Sequence, residues 1–275
     1  MSKAVLVVIG TGGMGLSIAR RCGSGKVVLL ADYSQEALAA ATETLQGEGH
    51  AVEALRTDVS SRADVAALAD AAASLGHVHQ VAHTAGLSPA QATTEAILRV
   101  DLLGTAVVLD EFAPVVASGG AGVVIASMAG HMAANFPPDQ ESLLANTPTD
   151  ELLDLPFLAA DVVHDPGLAY GMAKRANHLR VRAASCVWGD AGARLNSISP
   201  GIISTPMGQQ ELASPQGQIM RALLAASCTG RLGTPDDIAA AAAFLLGPDA
   251  SFITGTDLLV DGGAVAGLHG GRLQL

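Results

Sequence analysis

An α/β fold built on a parallel sheet covered on both faces is what this sequence predicts. Three observations predict it. Short runs rich in Val, Leu and Ile alternate with longer Ala-rich helical patterns along the chain. The strand-like runs lack clean polar alternation, the pattern of strands buried on both faces. The 275 residues, 49% of them hydrophobic, suffice for one large domain with a sizeable core. No internal repeat or low-complexity linker is visible, so residues 1–275 read as a single domain.

The elements follow in order. Lys3 before the apolar run Ala4–Ile9 imitates a secretory signal. The run gives way to glycines, however, and Arg20 and Arg21 lie on its wrong side for a twin-arginine signal, so 4–9 reads as a buried strand. Helix 14–22, strand 26–31, helix 35–47 and strand 51–57 come next. Ser61 with Asp64 supplies start chemistry for helix 62–75. Strand 77–82, helix 94–117 and strand 121–126 continue the alternation. Residues 132–166 break it, with Pro137, Pro138, Pro148, Pro156, Pro166 and several acidic side chains. A structureless connection this long is uncommon in a compact domain, so the segment reads as an inserted lid or contact surface. Within it, Thr149–Leu153 resembles a capped short helix. Helix 168–188, strand 193–198 and helix 214–227 follow. Helix 235–246, opened by Thr234, Pro235 and Asp237, and strand 257–260 complete the series.

Composition excludes several classes. A net charge of −11 repels phosphate backbones, so no nucleic-acid partner is expected. No apolar stretch reaches transmembrane length, so no membrane is expected either. Cys22, Cys186 and Cys228 are scattered, odd in number and without metal-ligand spacing. They read as buried reduced thiols of a cytoplasmic protein, and no metal is expected.

Two groups of residues carry chemistry. Strand 4–9 runs into Gly10-Thr11-Gly12-Gly13-Met14-Gly15, which opens a helix. Missing side chains there let backbone approach a pyrophosphate, and the helix N-terminus offers unpaired N–H groups to it. Asp32 ends the second strand, where a carboxylate accepts hydrogen bonds from an adenosine ribose and repels the extra phosphate of NADP. NAD is therefore expected over NADP, unless Asp32 merely caps the turn before Ser34. Asp58 and Val59 end the third strand, where a side chain meets adenine; Asp58 as a helix cap is the rival reading. The second group is Tyr170 and Lys174, four residues apart on a helix and hence on one face. An ammonium beside a phenol favours the phenolate, which makes the tyrosine a usable acid and base near neutral pH.

The glycine loop, Tyr170-Gly-Met-Ala-Lys174 and several later segments together resemble the short-chain dehydrogenase/reductase family, in its branch of about 250 residues. His83-Thr84-Ala85-Gly86 stands where that family has Asn-Asn-Ala-Gly. Ser127 follows strand 121–126 at the family's catalytic-serine position. The segments 196–207, 231–235 and 253–263 match its later signatures in order. The resemblance implies a Rossmann-type doubly wound sheet of seven parallel strands in the order 3-2-1-4-5-6-7. It implies hydride transfer between a nicotinamide and a secondary alcohol or ketone. Tyr170 would be the general acid or base, Lys174 would lower its pKa and bind ribose, and Ser127 would stabilise the substrate oxygen. Pro200 and Gly201 would place backbone against the nicotinamide, with Ile203 and Thr205 at its carboxamide. Ala85 and Gly86 would line the cofactor. Met207 would begin a flap over the substrate, a plain core role being the alternative.

The sequence also departs from that family. One residue is missing between the first two glycines of the loop. Thr84 replaces an asparagine. Asp101 stands where the catalytic tetrad carries an asparagine that props open a helix. Ser127 and Tyr170 are separated far more widely than usual, so the segment 132–166 begins beside the active site. His131, Met132, Phe136, Phe157 and Leu158 are candidates for the substrate wall or a subunit contact, or else pack the segment on itself. His131 and His164 are further acid/base candidates. Few charged residues stand near the expected pocket, so the expected partner is a small uncharged or partly apolar ketone or secondary alcohol. The Ala-rich helices 94–117 and 168–188 and the tail Ala264–Leu275 suit subunit packing as a homotetramer or homodimer. A non-redox enzyme of epimerase or lyase type and a regulatory nucleotide-binding protein are the competing classes.

Overall fold

The computed structural model describes residues 3–132, 136–159, 161–214 and 217–273. Seven parallel strands form one sheet in the order β3-β2-β1-β4-β5-β6-β7. They are β1 Ala4–Ile9, β2 Val27–Asp32, β3 Ala51–Arg56, β4 His77–His83, β5 Val116–Ile125, β6 Arg194–Pro200 and β7 Asp257–Val260. The strand order reverses between β1 and β4, and the crevice that opens there at the carboxyl ends is where such sheets bind ligands.

The sheet is covered twice, which explains its unbroken apolar strands. In β1, Val5, Val7 and Ile9 join one core with Val65, Leu68, Val107, Phe112, Val181 and Trp188. Leu6 and Val8 join the other, with Ile18, Leu38, Ile238 and Leu245. The helices α1 Gly13–Cys22 and α2 Gln35–Gly47 supply Ile18 and Leu38, and α3 Arg62–Leu75 supplies Val65 and Leu68. Ser34 and Ser61 cap α2 and α3 by accepting from Ala37 N and Asp64 N.

The continuous helix expected over 94–117 is corrected. It consists of α4 Thr94–Ile97, a π-helical stretch Leu98–Gly104 and α5 Thr105–Phe112. Gly104 packs so tightly on Val59 that an added Cβ would lie 2.8 Å from its Cγ2. β5 then starts at Val116, well before the expected residue 121. Pro114, which has no N–H to donate to the preceding turn, ends the helix early, and a register shift against β4 absorbs the added residues.

After α6 Ala129–Met132, the segment 132–166 is ordered rather than structureless, except that residues 133–135 and 160 lie outside the described set. It holds α7 Pro138–Asn146 and two 3-10 turns, Thr149–Asp154 and Pro156–Leu158. Thr149 is not the cap expected at its helix start, where no side chain caps. Its hydroxyl instead accepts from the buried Arg180 on α8 Pro166–Asp190, whose guanidinium also donates to Leu144 O and Thr147 O. Leu144, Leu152, Leu155 and Leu158 form a third core with α8 and the π stretch, with Phe136 and Phe157 packed against it. These residues thus pack the segment onto helices expected to face another subunit.

Beyond β6 come α9 Pro206–Ala213, α10 Gly217–Ala226, α11 Pro235–Leu246 and α12 Ala264–His269. Thr234 and Asp237 form the expected capping box on α11. Helix α10 starts at Gly217, and residues 215–216 of the expected helix 214–227 are outside the described set, as are 274–275 of the tail. No described helix is long and apolar enough to cross a membrane. All three cysteines are free; Cys22 is buried, but Cys186 and Cys228 are exposed, contrary to expectation.

Candidate active site

The glycine loop is built by close backbone approach. Gly10 takes φ +97°, and a Cβ on it would lie 2.6 Å from Ala85 N. A Cβ on Gly15 would lie 1.9 Å from Gly10 O. Thr84 donates its hydroxyl to Gly10 O at 2.7 Å and Ile9 O at 3.1 Å, so the end of β4 clasps the loop. Gly12 caps α1 without a side-chain bond, and no side-chain atom replaces a ligand at this helix N-terminus. Open space surrounds the Cα of Gly12, and Met14 packs beneath the loop on the α1 side of the sheet. These features fit a dinucleotide whose phosphates need bare backbone N–H groups.

Asp32 is tied to this loop. Its Oδ2 accepts from Thr11 N and Thr11 Oγ1, both at 2.7 Å, and its Oδ1 accepts from Ser34 N at 2.9 Å. One carboxylate thus caps the turn before Ser34 and ties the end of β2 to the glycine loop. Asp58 does not cap α3, since Ser61 does; its Oδ1 accepts from Ser60 N and Oγ. Val59 is buried against Gly104.

Tyr170, Lys174, Ser127 and Asp101 come together at the carboxyl end of the sheet. Helix α8 is opened by Asp165, which accepts from Leu168 N. Its i, i+4 spacing stacks Lys174 Nζ 5.3 Å from the Tyr170 ring centroid. Ser127, just past β5, lies within electrostatic reach of the Tyr170 phenol, and its Oγ accepts from Ala129 N. Lys174 is buried, with Nζ 3.4 Å from Ile125 O and 3.0 Å from Asp101 Oδ2. Asp101 is fully buried on the π stretch, and its Oδ1 accepts from Leu87 N at 2.8 Å. Gly86 leaves room for the pair: a Cβ there would lie 3.1 Å from Asp101 Oδ2 and 3.3 Å from Lys174 Nζ.

The electrostatics correct one expectation. The Tyr170 phenol is shifted up from its ordinary pKa, not down. Burial is the largest cause, and the Asp101 and Glu211 carboxylates add to it. Lys174 and Ser127 pull the other way and do not prevail. Burial would depress the Lys174 ammonium, but Asp101 and Tyr170 hold it above its usual value. Burial raises the Asp101 carboxyl despite Lys174 and the Leu87 N–H. His83, buried beneath and repelled by Lys174, is pushed down to about 3 and stays neutral.

The later segments face the same crevice. Pro200 ends β6, and Gly201 lies so close to Asp261 that a Cβ would sit 2.6 Å from its Cα. Ile203 is buried and bridges to Gly233. Thr205 caps α9 by accepting from Gly208 N, and its methyl would lie 3.1 Å from a Cβ on Gly13. Met207 is exposed in the first turn of α9. Met132 packs against Met128, Ile202 and Val265. Glu211 on α9 accepts from the buried Ser88 Oγ at 2.5 Å, and Gln91 donates to Gln210. The sequence reading missed Glu211, a carboxylate within electrostatic reach of Tyr170; nothing local in its surroundings announces it.

His131 turns toward Asp257, with Nε2 2.7 Å from Oδ2. His178, one turn beyond Lys174, lies 3.5 Å from Asp257 Oδ1 and 2.8 Å from Ser199 Oγ. The ligating atoms of His131, His178 and Asp257 all fall within 4.8 Å of one another, so this group could hold a metal ion. Its members are far apart in sequence and went unnoticed there. His164 lines a surface cleft with Thr93, Arg99 and Leu158.

A doubly wound sheet with a glycine loop at its switch point and a Ser–Tyr–Lys group beside it defines a nicotinamide-dependent oxidoreductase class. Comparison with known proteins gives the same answer. Residues 3–137 match the family described as short chain dehydrogenase, and residues 141–265 match the one described as Enoyl-(Acyl carrier protein) reductase. The short-chain dehydrogenase/reductase bsc3 of Alternaria brassicicola is 44% identical over 267 residues, covering 97% of each chain. The 3-alpha-hydroxysteroid dehydrogenase/carbonyl reductase of Comamonas testosteroni is 32% identical over 183 residues, covering 65% of this chain and 69% of that one. A solved short-chain type dehydrogenase/reductase from Mycobacterium ulcerans superposes with a TM-score of 0.75 at 26% identity, covering 96% of this chain and 90% of that one. The chain belongs to the short-chain dehydrogenase/reductase family, whose members bind a nicotinamide cofactor.

Proposed function

We propose that this chain, as one dinucleotide-binding domain over 1–275 with an insertion at about 132–166, is an NAD-dependent carbonyl reductase or alcohol dehydrogenase. Its substrate is a small uncharged or partly apolar ketone or secondary alcohol. The observation that carries this reading is the stacking of Lys174 on the Tyr170 ring, with Ser127 in reach of the same phenol. The relatives' names, which include a carbonyl reductase, support the substrate class.

Bound nicotinamide supplies or accepts the hydride. Gly10, Gly12, Gly13, Met14 and Gly15 would hold the phosphates, and Asp32 the adenosine ribose. Asp58, Val59, Ala85 and Gly86 would line the adenine side; Pro200, Gly201, Ile203 and Thr205 would line the nicotinamide side. Tyr170 gives its proton to the oxygen of a ketone that has accepted hydride at carbon. In oxidation it takes that proton back. Ser127 donates to the same oxygen as charge develops there. Lys174 would hold the ribose hydroxyls of the cofactor, and its ammonium steadies the phenolate left behind. Met132 and Met207 flank the substrate. His131 would join them only by turning away from Asp257. Free thiols suit a reducing, cytoplasmic compartment. The half-buried edge strand β7 and the fully exposed Phe252 suit assembly as a homodimer or homotetramer.

An absorbance assay at the NADH band with a panel of ketones and secondary alcohols tests the reading. Turnover is expected, and Tyr170→Phe is expected to lower kcat by about 10²-fold or more. NADH binding without turnover on any member of the panel would favour a regulatory protein instead.

A further inference from the structure

Asp101 sets this chain apart within the site. Its carboxylate is fully buried, 3.0 Å from Lys174 Nζ, and fixed from the other side by the Leu87 N–H. The ammonium therefore faces two groups at once, the carboxylate in contact and the phenol above it. Opposite charges at contact in a buried site partly cancel at a third group a few ångströms away. An amide at position 101 would have the same shape and leave the ammonium's field intact.

We propose that Asp101 is a positioning residue that neutralises Lys174 and so holds Tyr170 as the neutral phenol, which builds the site for carbonyl reduction rather than alcohol oxidation. The proposal rests on Tyr170 being the proton donor. In reduction the phenol O–H breaks, the proton goes to the carbonyl oxygen, and both electrons arrive as hydride from reduced nicotinamide. In oxidation the phenolate is needed first, and Asp101 makes it scarce. Every charged group facing the phenol is consistent with this. Among the described residues acting most strongly on the phenol, Lys174 on α8 is the cation, Asp101 on the π stretch and Glu211 on α9 are both anionic, and Ser127 is neutral. His83 on β4 is too strongly depressed to add positive charge near Lys174.

The chain contains two tyrosines, so Tyr33→Phe leaves Tyr170 as the sole phenol. Its ionisation can then be followed by the phenolate absorbance, without cofactor or substrate. The expected midpoint lies at or above that of a free phenol, about 10. Adding Asp101→Asn is expected to lower it by about one unit or more, or tenfold more phenolate at a given pH below the midpoint. The acidic limb of kcat/KM for alcohol oxidation should move down by the same amount. A purely structural role would lower stability without moving either quantity. A midpoint well below that of a free phenol with Asp101 in place overturns the proposal even if the Asn variant does not fold. So does a midpoint unmoved by Asp101→Asn. An inactive protein with a high midpoint would sink the reductase reading instead, which keeps the two failures apart.

Discussion

Gly15 leaves no room for a side chain, because an added Cβ would overlap Gly10 O. Gly15→Ala should therefore lower stability by about 2–3 kcal/mol in urea unfolding and weaken NADH binding together. Gly12 separates the two effects, since nothing lies within 4 Å of its added Cβ. Gly12→Ala should change stability by less than about 0.5 kcal/mol and still weaken NADH binding in a fluorescence titration. Unchanged NADH affinity would remove the phosphates from this loop. Asp32 bears on cofactor choice. Its carboxylate is already anchored by Thr11 and Ser34, so its charge is fixed at the end of β2. Asp32→Asn should cut the preference for NAD over NADP, measured as a ratio of kcat/KM values, by at least about tenfold, the worth of one removed charge repulsion. A ratio that stays the same would reduce Asp32 to a turn residue. At this scale the sequence was legible where spacing alone fixes geometry. Tyr170 and Lys174 share a helix face, and the glycines follow a strand. Partners drawn from distant segments were not legible: Glu211 beside Tyr170, the Asp101 pairing that adds to the phenol's upward shift, and His131 with Asp257.

Helix boundaries were legible where a local cap decides them. Ser61 and Thr234 accept from the third residue of their helices, and 62–75 and 235–246 were placed without error. The π stretch 98–104 was not legible, because its cause is tertiary. The Asp101 carboxylate reaches for the Leu87 N–H and Lys174, while Gly104 sinks onto Val59. The fold of 132–166 was hidden for a similar reason. Its prolines suggested irregular chain, but they open α7 and the second 3-10 turn, while the leucines between them find α8. Arg180 fastens this segment with one guanidinium and three acceptors. Arg180→Ala would leave buried carbonyls unpaired, at a cost of about 3 kcal/mol in denaturant unfolding. Because the loss is local, limited proteolysis should cut within 138–158 before the rest of the chain. Uniform resistance of that segment would show that the leucine packing alone holds it.

At the scale of the whole molecule, acid stability follows from two histidines enclosed by the fold. His83 sits beneath the sheet's carboxyl end, its Nε2 facing Thr105 Oγ1 and its Nδ1 without a partner. Burial and then Lys174 push its pKa down to about 3. His178 lies between α8 and β6, and burial pushes it down to about 4 against the pull of Asp257. In the unfolded chain both titrate near 6.5. Above that pH both states are neutral, and the full stability is present. As the pH falls, the unfolded chain binds two protons that the folded chain refuses until about pH 4 for His178 and about pH 3 for His83. Stability is therefore lost downward from about pH 6.5, with a slope near pH 5 of about 2.5 kcal/mol per unit for nearly two protons. Asp101, raised by its own burial, opposes this slope where it titrates. Urea unfolding at pH 7, 6 and 5 measures the effect, with a constant m-value as the check on two-state behaviour. His83→Gln should remove about half of the slope while leaving the His178 half in place. A slope that the substitution leaves intact would mean that His83 accepts a proton within the folded protein, and that the field of Lys174 does not reach it.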